Sequence, residues 1–207
     1  MRHSVCASVG GFANHYRWLL LLSEKYNSLN SLNANSFMSF NKAFPWKVED
    51  KVEFIKNNVY HTSRNHANWI TIEWKYRKQL DHILPVSHNI YSASYSGAPK
   101  HSESIPHKIL FSALDPNECL RHYLKFNKTL NSFTPSAFIE RCAKDIQDVE
   151  EYKLRAKEEL LVVRGEKLYS PILDKSLYNQ LIQFFEIEDL YPFANQIHQM
   201  WYRLHNA

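Results

Sequence analysis

Short runs of consecutive apolar residues, separated by stretches with helical character, constrain most strongly how this chain can fold. The run KILFSAL at residues 108–114 is apolar at nearly every position, and LLVVR at 160–164 is similar. Strands with one solvent face alternate between apolar and polar residues, whereas strands without that alternation belong in parallel sheets covered on both faces. The helices predicted between the runs supply that cover. We therefore predict a three-layer α/β fold, a short and mostly parallel sheet flanked by helices.

The individual elements follow from periodicity and from the residues that begin helices. Asp115-Pro116 and Thr134-Pro135 each join an N-cap side chain to a proline suited to the first helical position, so both begin helices. We predict strands at 3–9, 51–57, 83–88, 108–114 and 160–164. We predict helices from residue 13, at 65–80, from 115 to 130, from 134 to 157, at 175–186 and at 190–205.

The length of the chain indicates how many domains it forms. Its 207 residues are enough for one domain with a buried core. We predict a single domain over residues 1–207, with an irregular insertion rich in Asn and Ser at 27–45. The longest apolar run, residues 18–22, is far shorter than the roughly 20 residues that cross a bilayer, so no membrane span is expected.

The cysteines and the N-terminal residues bear on the cellular location. Three cysteines without CxxC spacing are typical of free thiols in a reducing compartment. Gly10-Gly11 and Asn14-His15 interrupt the segment where a signal peptide would be apolar, so no secretion signal is expected. These features predict a cytoplasmic protein.

Basic and aromatic residues raise the question of macromolecular partners. The net charge of +4 suits an anionic ligand as well as a nucleic acid. Residues 60–78 interleave basic and aromatic side chains, but Trp69, Ile72 and Tyr76 share one helical face, which favours core packing over nucleic-acid binding. The C-terminal helix has an apolar stripe, which favours docking onto the domain and leaves a homodimer interface as the alternative. That stripe consists of Phe193, Ile197, Met200, Trp201 and Leu204.

Two of the four glycines, Gly10 and Gly11, stand together directly after the first predicted strand. Glycine adopts backbone conformations that other residues avoid, so this pair predicts a tight turn between the strand and the following helix. In open α/β folds, ligands bind at the carboxyl ends of the strands. Backbone N–H groups of such a turn can bind an anion at a helix N-terminus. A tight turn with a purely structural role is the alternative.

Four segments carry a family resemblance through their order, although no general motif such as GxxxxGK[ST], GxGxxG, HExxH or GxSxG is intact. The first is the N-terminal strand, glycine turn and helix ending in WLLLL, and the second is Val86-Ser87-His88. The third is KILFSALDPNECLRHYLKF, and the fourth is LVVRGEKLYSP with the later helix end FFEI. In this order the chain resembles the P-loop-like sulfotransferases, which transfer a sulfuryl group from 3′-phosphoadenylyl sulfate to an acceptor.

The resemblance implies a P-loop-like fold, a function and a set of site residues. The donor would be 3′-phosphoadenylyl sulfate, the product adenosine 3′,5′-bisphosphate, and the acceptor a hydroxyl or amine of a small molecule or glycan, with no metal. His88 matches the catalytic histidine of the family and would take the proton from the acceptor. The phosphosulfate would contact Gly10, Gly11, Asn14 and Arg17, and the 3′-phosphate would contact Arg121, His122 and Arg164.

The sequence departs from the family pattern where the phosphates would bind. The loop at residues 8–15 has no Lys or Arg, Leu114 replaces the Arg of Arg-Asp-Pro, and His122 replaces a serine. Each charge-assisted hydrogen bond that is lost weakens binding by about 1.5–3 kcal/mol. Three functions therefore stay open: sulfuryl transfer, a non-catalytic binding or structural module on the same fold, and another nucleotide- or sugar-nucleotide-dependent transferase.

Overall fold

The computed structural model describes residues 2–8, 10–25, 47–59, 72–73, 90–94, 107–126, 130, 134–155 and 159–206. The insertion predicted at 27–45, the strand predicted at 83–88 and His88 lie outside these residues. In the described part of the chain, no helix is both long and apolar enough to cross a bilayer.

Helices and strands alternate along the described residues, and the predicted α/β class is confirmed. The strands are β1 (Arg2–Ala7), β2 (Ile72–Glu73), β3 (Ile90–Ser94), β4 (His107–Ala113) and β5 (Glu159–Arg164). The helices are α1 (Ala13–Leu21), α2 (Val48–Val59), α3 (Pro116–Phe126), α4 (Pro135–Arg155), α5 (Lys175–Phe185) and α6 (Tyr191–Asn206). A short 3₁₀-helix, Gly165–Leu168, follows β5 directly.

The five strands form one sheet in which all described pairs are parallel. Their order across the sheet is β2-β3-β1-β4-β5. Every residue of β4 from Lys108 to Ala113 is buried. Since successive side chains of a strand point to opposite faces, β4 is covered on both. Because both faces of β4 are covered, KILFSAL shows no alternation of polar and apolar residues. The predicted parallel sheet is confirmed.

The C-terminal helix α6 docks onto the rest of the domain. It packs against α1 and α2, while α3 packs against α4. Its buried side chains are Ala194, Ile197, His198 and Trp201. The predicted docking is confirmed, but the buried stripe is displaced from the predicted one, because Phe193, Met200 and Leu204 are only partly buried. Two residues of the predicted stripe, Ile197 and Trp201, are therefore buried within the chain, and the homodimer alternative stays a prediction.

Capping side chains begin two helices where the sequence predicts. At the start of α3, the carboxylate of Asp115 accepts hydrogen bonds from the N–H groups of Asn117 at 2.9 Å and Glu118 at 3.3 Å. At the start of α4, the hydroxyl of Thr134 accepts from the N–H of Ala137 at 3.2 Å. In both cases proline is the first helical residue, so both predicted starts are confirmed.

The strand predicted at 51–57 is wrong, because these residues belong to α2. Lys51 is fully buried, and its ammonium group donates hydrogen bonds to the carbonyls of Leu22 at 3.1 Å and Ser23 at 2.6 Å, at the end of α1. These bonds stabilise a cation at the negative end of the helix dipole. The run KVEFIKN alone does not separate a strand from a short helix, and the tertiary contact of its lysine favours the helix.

The strands β2 and β3 lie where the sequence predicts none. The sequence predicts a helix over 65–80, but Ile72 and Glu73 form β2 there. Strand β3, at Ile90–Ser94, begins just beyond the strand predicted at 83–88. Both strands pair through backbone hydrogen bonds with neighbours that are distant in sequence, and this pairing overrides weak local preference.

Candidate ligand site at the carboxyl edge of the sheet

The connections that follow β1 and β4 leave the sheet in opposite directions. From β1 the chain continues to β2, which lies towards one edge of the sheet. From β4 it continues to β5, which lies towards the opposite edge. Neighbouring strands whose connections diverge leave a crevice at their carboxyl ends, and open α/β sheets bind ligands there. The glycine loop between β1 and α1 and the first turns of α3 are the walls of this candidate site.

Close packing explains both residues of the Gly10-Gly11 pair. Gly10 has a φ of +89°, and a Cβ at this position would lie 2.4 Å from the carbonyl oxygen of Cys119 in α3. A Cβ on Gly11 would lie 2.9 Å from the carbonyl oxygen of Ser8, to which the Gly11 N–H donates at 2.8 Å. The predicted tight turn is confirmed, and it brings the loop into contact with α3.

Replacing Gly10 with alanine should destabilise the protein by about 2 kcal/mol. The new methyl group would combine a strained positive φ with a clash against a backbone carbonyl that moves only if α3 moves. Urea denaturation of the variant and the wild-type chain measures this difference. A Gly10→Ala chain as stable as the wild type would contradict the close approach of the loop to Cys119.

Phe12 ends the glycine loop and caps α1 in the left-handed conformation, with a φ of 65°. Its buried ring lies 4.6 Å from the ring of His122 and 4.9 Å from that of Trp201, measured between centroids. The rings of Tyr169 and His205 follow at 6.2 and 6.0 Å. We call these five residues the aromatic cluster. Their packing offsets the strain at Phe12 and joins the loop to α3 and α6.

A chain of imidazole hydrogen bonds connects α1 to α6 beside the aromatic cluster. Nε2 of His15 lies 3.0 Å from Nδ1 of His198, and Nε2 of His198 lies 2.7 Å from the carbonyl oxygen of Ser170. A carbonyl only accepts, so Nε2 of His198 carries a proton and its Nδ1 accepts from His15. Burial lowers the pKa of both rings, so they are neutral near pH 7 and bring no positive charge to the loop.

Four side chains form a polar cluster at the same edge, which we call the Glu118 cluster. One carboxylate oxygen of Glu118 accepts from Nε of Arg121 at 3.0 Å, from Nη2 of Arg121 at 2.6 Å and from the hydroxyl of Tyr169 at 2.9 Å. Nε2 of His122 lies 3.2 Å from that hydroxyl. The hydrogen bond from Arg121 lowers the pKa of Glu118, and burial lowers the pKa of His122. At pH 7 the cluster therefore holds an ion pair and a neutral imidazole.

The predicted site residues divide into three groups. The structure brings four of them to the carboxyl edge between β1 and β4, namely Gly10, Gly11, Arg121 and His122. Arg164 ends β5 beside Ala113 of β4, with an exposed side chain. Asn14 and Arg17 lie in α1, but their side chains lie outside the described part of the structure. His88 is not among the described residues, so its role stays a prediction.

The residues that depart from the family pattern have structural roles here. Leu114 is buried in the core, with a side-chain carbon 3.1 Å from where a Cβ on Gly165 would stand. The N-terminus of α3 is capped by Asp115, whose own N–H donates to Glu166 at 3.3 Å. Acidic groups therefore surround this helix start. The positive charge next along α3 is that of Arg121, in the second turn, which is ion-paired with Glu118.

The aromatic cluster and the roles of Glu118 and Tyr169 were not predicted from the sequence. His198, Trp201 and His205 follow one another at helical spacing on α6, and this pattern was the available signal. The predicted apolar stripe left the two histidines out because they are polar. Tyr169 has no comparable signal, since it reaches the cluster from the segment after β5.

Comparisons with family models and with curated proteins assign no function to this chain. No family model matches this sequence, and no curated protein matches it either. Within the described ranges, no three His, Cys, Asp or Glu side chains are arranged to hold a metal ion. The guanidinium group of Arg121 and the hydroxyl of Tyr169 are donors of the kind that bind oxyanions, and both contact Glu118 here.

Proposed function

We propose that this chain binds a nucleotide of the adenosine 3′,5′-bisphosphate type in the crevice between β1 and β4, and that it is a sulfotransferase-like transferase. One observation carries the proposal: Cys119 of α3 contacts Gly10, and His122, one turn further along α3 and next to Arg121, packs against Phe12 at the end of the loop, where the strand connections diverge. The sequence of strand, glycine loop and helix supports a P-loop-like arrangement. The order of the four family-like segments, of which this unit is the first, supports it as well.

The proposed reaction moves a sulfuryl group from the donor to the oxygen or nitrogen of an acceptor. The new bond forms to sulfur as the bond to the phosphate oxygen breaks, and the electron pair leaves with adenosine 3′,5′-bisphosphate. His88 is the predicted base that removes the acceptor's proton. Backbone N–H groups of the glycine loop would bind the phosphosulfate, and Arg121 would bind the 3′-phosphate. Catalysis of this kind depends on positioning and on stabilising charge in the transferring group.

Adenosine 3′,5′-bisphosphate at about 100 times its Kd should raise the melting temperature by about 5–11 °C. Arg121→Ala should remove most of this shift, because the guanidinium group supplies charge-assisted hydrogen bonds to phosphate. The side chain of Arg121 is 60% exposed, so the variant should still fold. Lys144→Ala is the matched control, since Lys144 is also an exposed cation with a carboxylate partner, but on α4.

The absence of any shift with millimolar nucleotide would contradict the proposal. It would favour the second candidate, a non-catalytic binding or structural module on the same fold. The enclosed ring of Phe12 and the core position of Leu114 favour that candidate, because neither contributes a phosphate ligand. A shift with a sugar nucleotide but not with the bisphosphate would favour the third, another nucleotide-dependent transferase.

A further inference from the structure

A single carboxylate oxygen collects several donors at the proposed site. Three hydrogen bonds converge on Oε2 of Glu118, two from Arg121 and one from the hydroxyl of Tyr169. Nε2 of His122 lies 3.8 Å from the same oxygen. The side chain of Glu118 is one third exposed, and that of Arg121 more so. A solute can therefore reach the ion pair from solvent.

A tetrahedral oxyanion accepts hydrogen bonds from donors of this kind. Phosphate and sulfate oxygens accept from the fork of a guanidinium group and from hydroxyl groups, the same donors that Glu118 engages. The carboxylate oxygen thus has the charge and the hydrogen-bond partners of a bound oxyanion. We propose that Glu118 is an internal competitor, which occupies the donors of Arg121 and Tyr169 until the phosphate or sulfate group of a ligand displaces it.

The charges of the cluster favour competition over shared binding. Glu118 is ionised at neutral pH, and a negative charge within a few ångströms repels an incoming dianion. His122 does not offset this repulsion, because its buried ring is neutral. The partly exposed carboxylate of Glu118 can rotate into solvent while α3 stays in place, since this helix is held by the cap at Asp115. The inference rests on the proposed anion site but not on sulfuryl transfer.

Glu118→Gln tests the competition directly, because it removes the charge while keeping the length of the side chain. We expect this variant to bind inorganic phosphate and adenosine 3′,5′-bisphosphate about tenfold more tightly than the wild-type chain, as measured by isothermal titration calorimetry. Glu140→Gln, at an exposed position on α4, makes the same change in net charge and should bind like the wild type. Adding Tyr169→Phe to Glu118→Gln should reverse part of the gain, because one donor is lost.

The outcomes separate this inference from the proposed function. Nucleotide binding that is equally tight in the wild-type and Glu118→Gln chains would overturn the internal competitor and leave the nucleotide site standing. Tighter binding by Glu118→Gln, or binding by that variant alone, would support it. If neither chain binds either anion, both proposals fail, since the freed donors then form no anion site. Should Glu118→Gln not fold, Glu118→Ala gives the same comparison, because it also removes the carboxylate charge from Arg121.

Discussion

Replacing Trp201 with alanine should lower the free energy of unfolding by about 3–5 kcal/mol. The indole is only 6% exposed and stacks with three imidazole rings, His15 at 4.4 Å, His205 at 4.2 Å and His198 at 5.8 Å between centroids. The ring of Phe12 meets it edge-on at 4.9 Å. Removing the indole leaves a cavity where α6 meets α1 and the glycine loop. Urea denaturation followed by circular dichroism measures the loss.

Tyr202→Ala is the control for the Trp201 variant. Tyr202 is the next residue of α6 and is only partly buried, so its truncation should cost much less. Trp201→Phe should restore part of the stability by refilling the cavity with an aromatic ring. A loss below about 1 kcal/mol for Trp201→Ala would contradict the docking of α6 through this residue.

Acidification from pH 7.5 to pH 5 should lower the free energy of unfolding by about 3–4 kcal/mol. Burial lowers the pKa of His15 well below its usual range, and it lowers that of His198 and, to about 4, that of His205. Below about pH 6.5 these histidines take up protons in the unfolded chain but not in the folded one, so stability falls as pH falls. His205, with a pKa of about 4 in the folded protein, accounts for about 2 kcal/mol of the loss at pH 5, and His15 and His198 add to it.

Unfolding curves in urea at several pH values between 7.5 and 5 test this pH dependence. Asp145, whose pKa is raised by burial, acts in the opposite sense, so a variant is needed to isolate the histidines. His15→Asn should reduce the number of protons taken up on unfolding by about one. If the His15→Asn chain loses as much free energy of unfolding between pH 7.5 and pH 5 as the wild type, His15 is not buried as a neutral ring.

Much of the fold could be predicted from local signals in the sequence. The run KILFSAL marks β4 because a strand buried on both faces needs an apolar residue at nearly every position. The starts of α3 and α4 follow from Asp115 and Thr134, whose side chains cap the helices as predicted. The ends of α5 and α6 lie within a residue of their predicted positions. These features depend on residues that are neighbours in the sequence, so they can be predicted from one sequence alone.

The features that the sequence did not predict depend on contacts between distant segments. Lys51 lies in a segment predicted as a strand, yet its ammonium group caps α1 from within α2. The glycine turn was predicted, but its contact with Cys119 was not, since α3 is more than a hundred residues away. The same holds for Glu118 and Tyr169, which meet only because β4 and β5 are neighbours in the sheet.

The central claim is that a bisphosphate nucleotide binds between the glycine loop and the start of α3, and hydrogen–deuterium exchange measures this most directly. Peptides that cover residues 8–16 and 114–126 should exchange more slowly when adenosine 3′,5′-bisphosphate is added, whereas those from α4 should not change. Bound phosphates would shield the backbone N–H groups of the loop and fix Arg121. Exchange that is unchanged in both segments at saturating nucleotide, or slowed only elsewhere, would contradict the account.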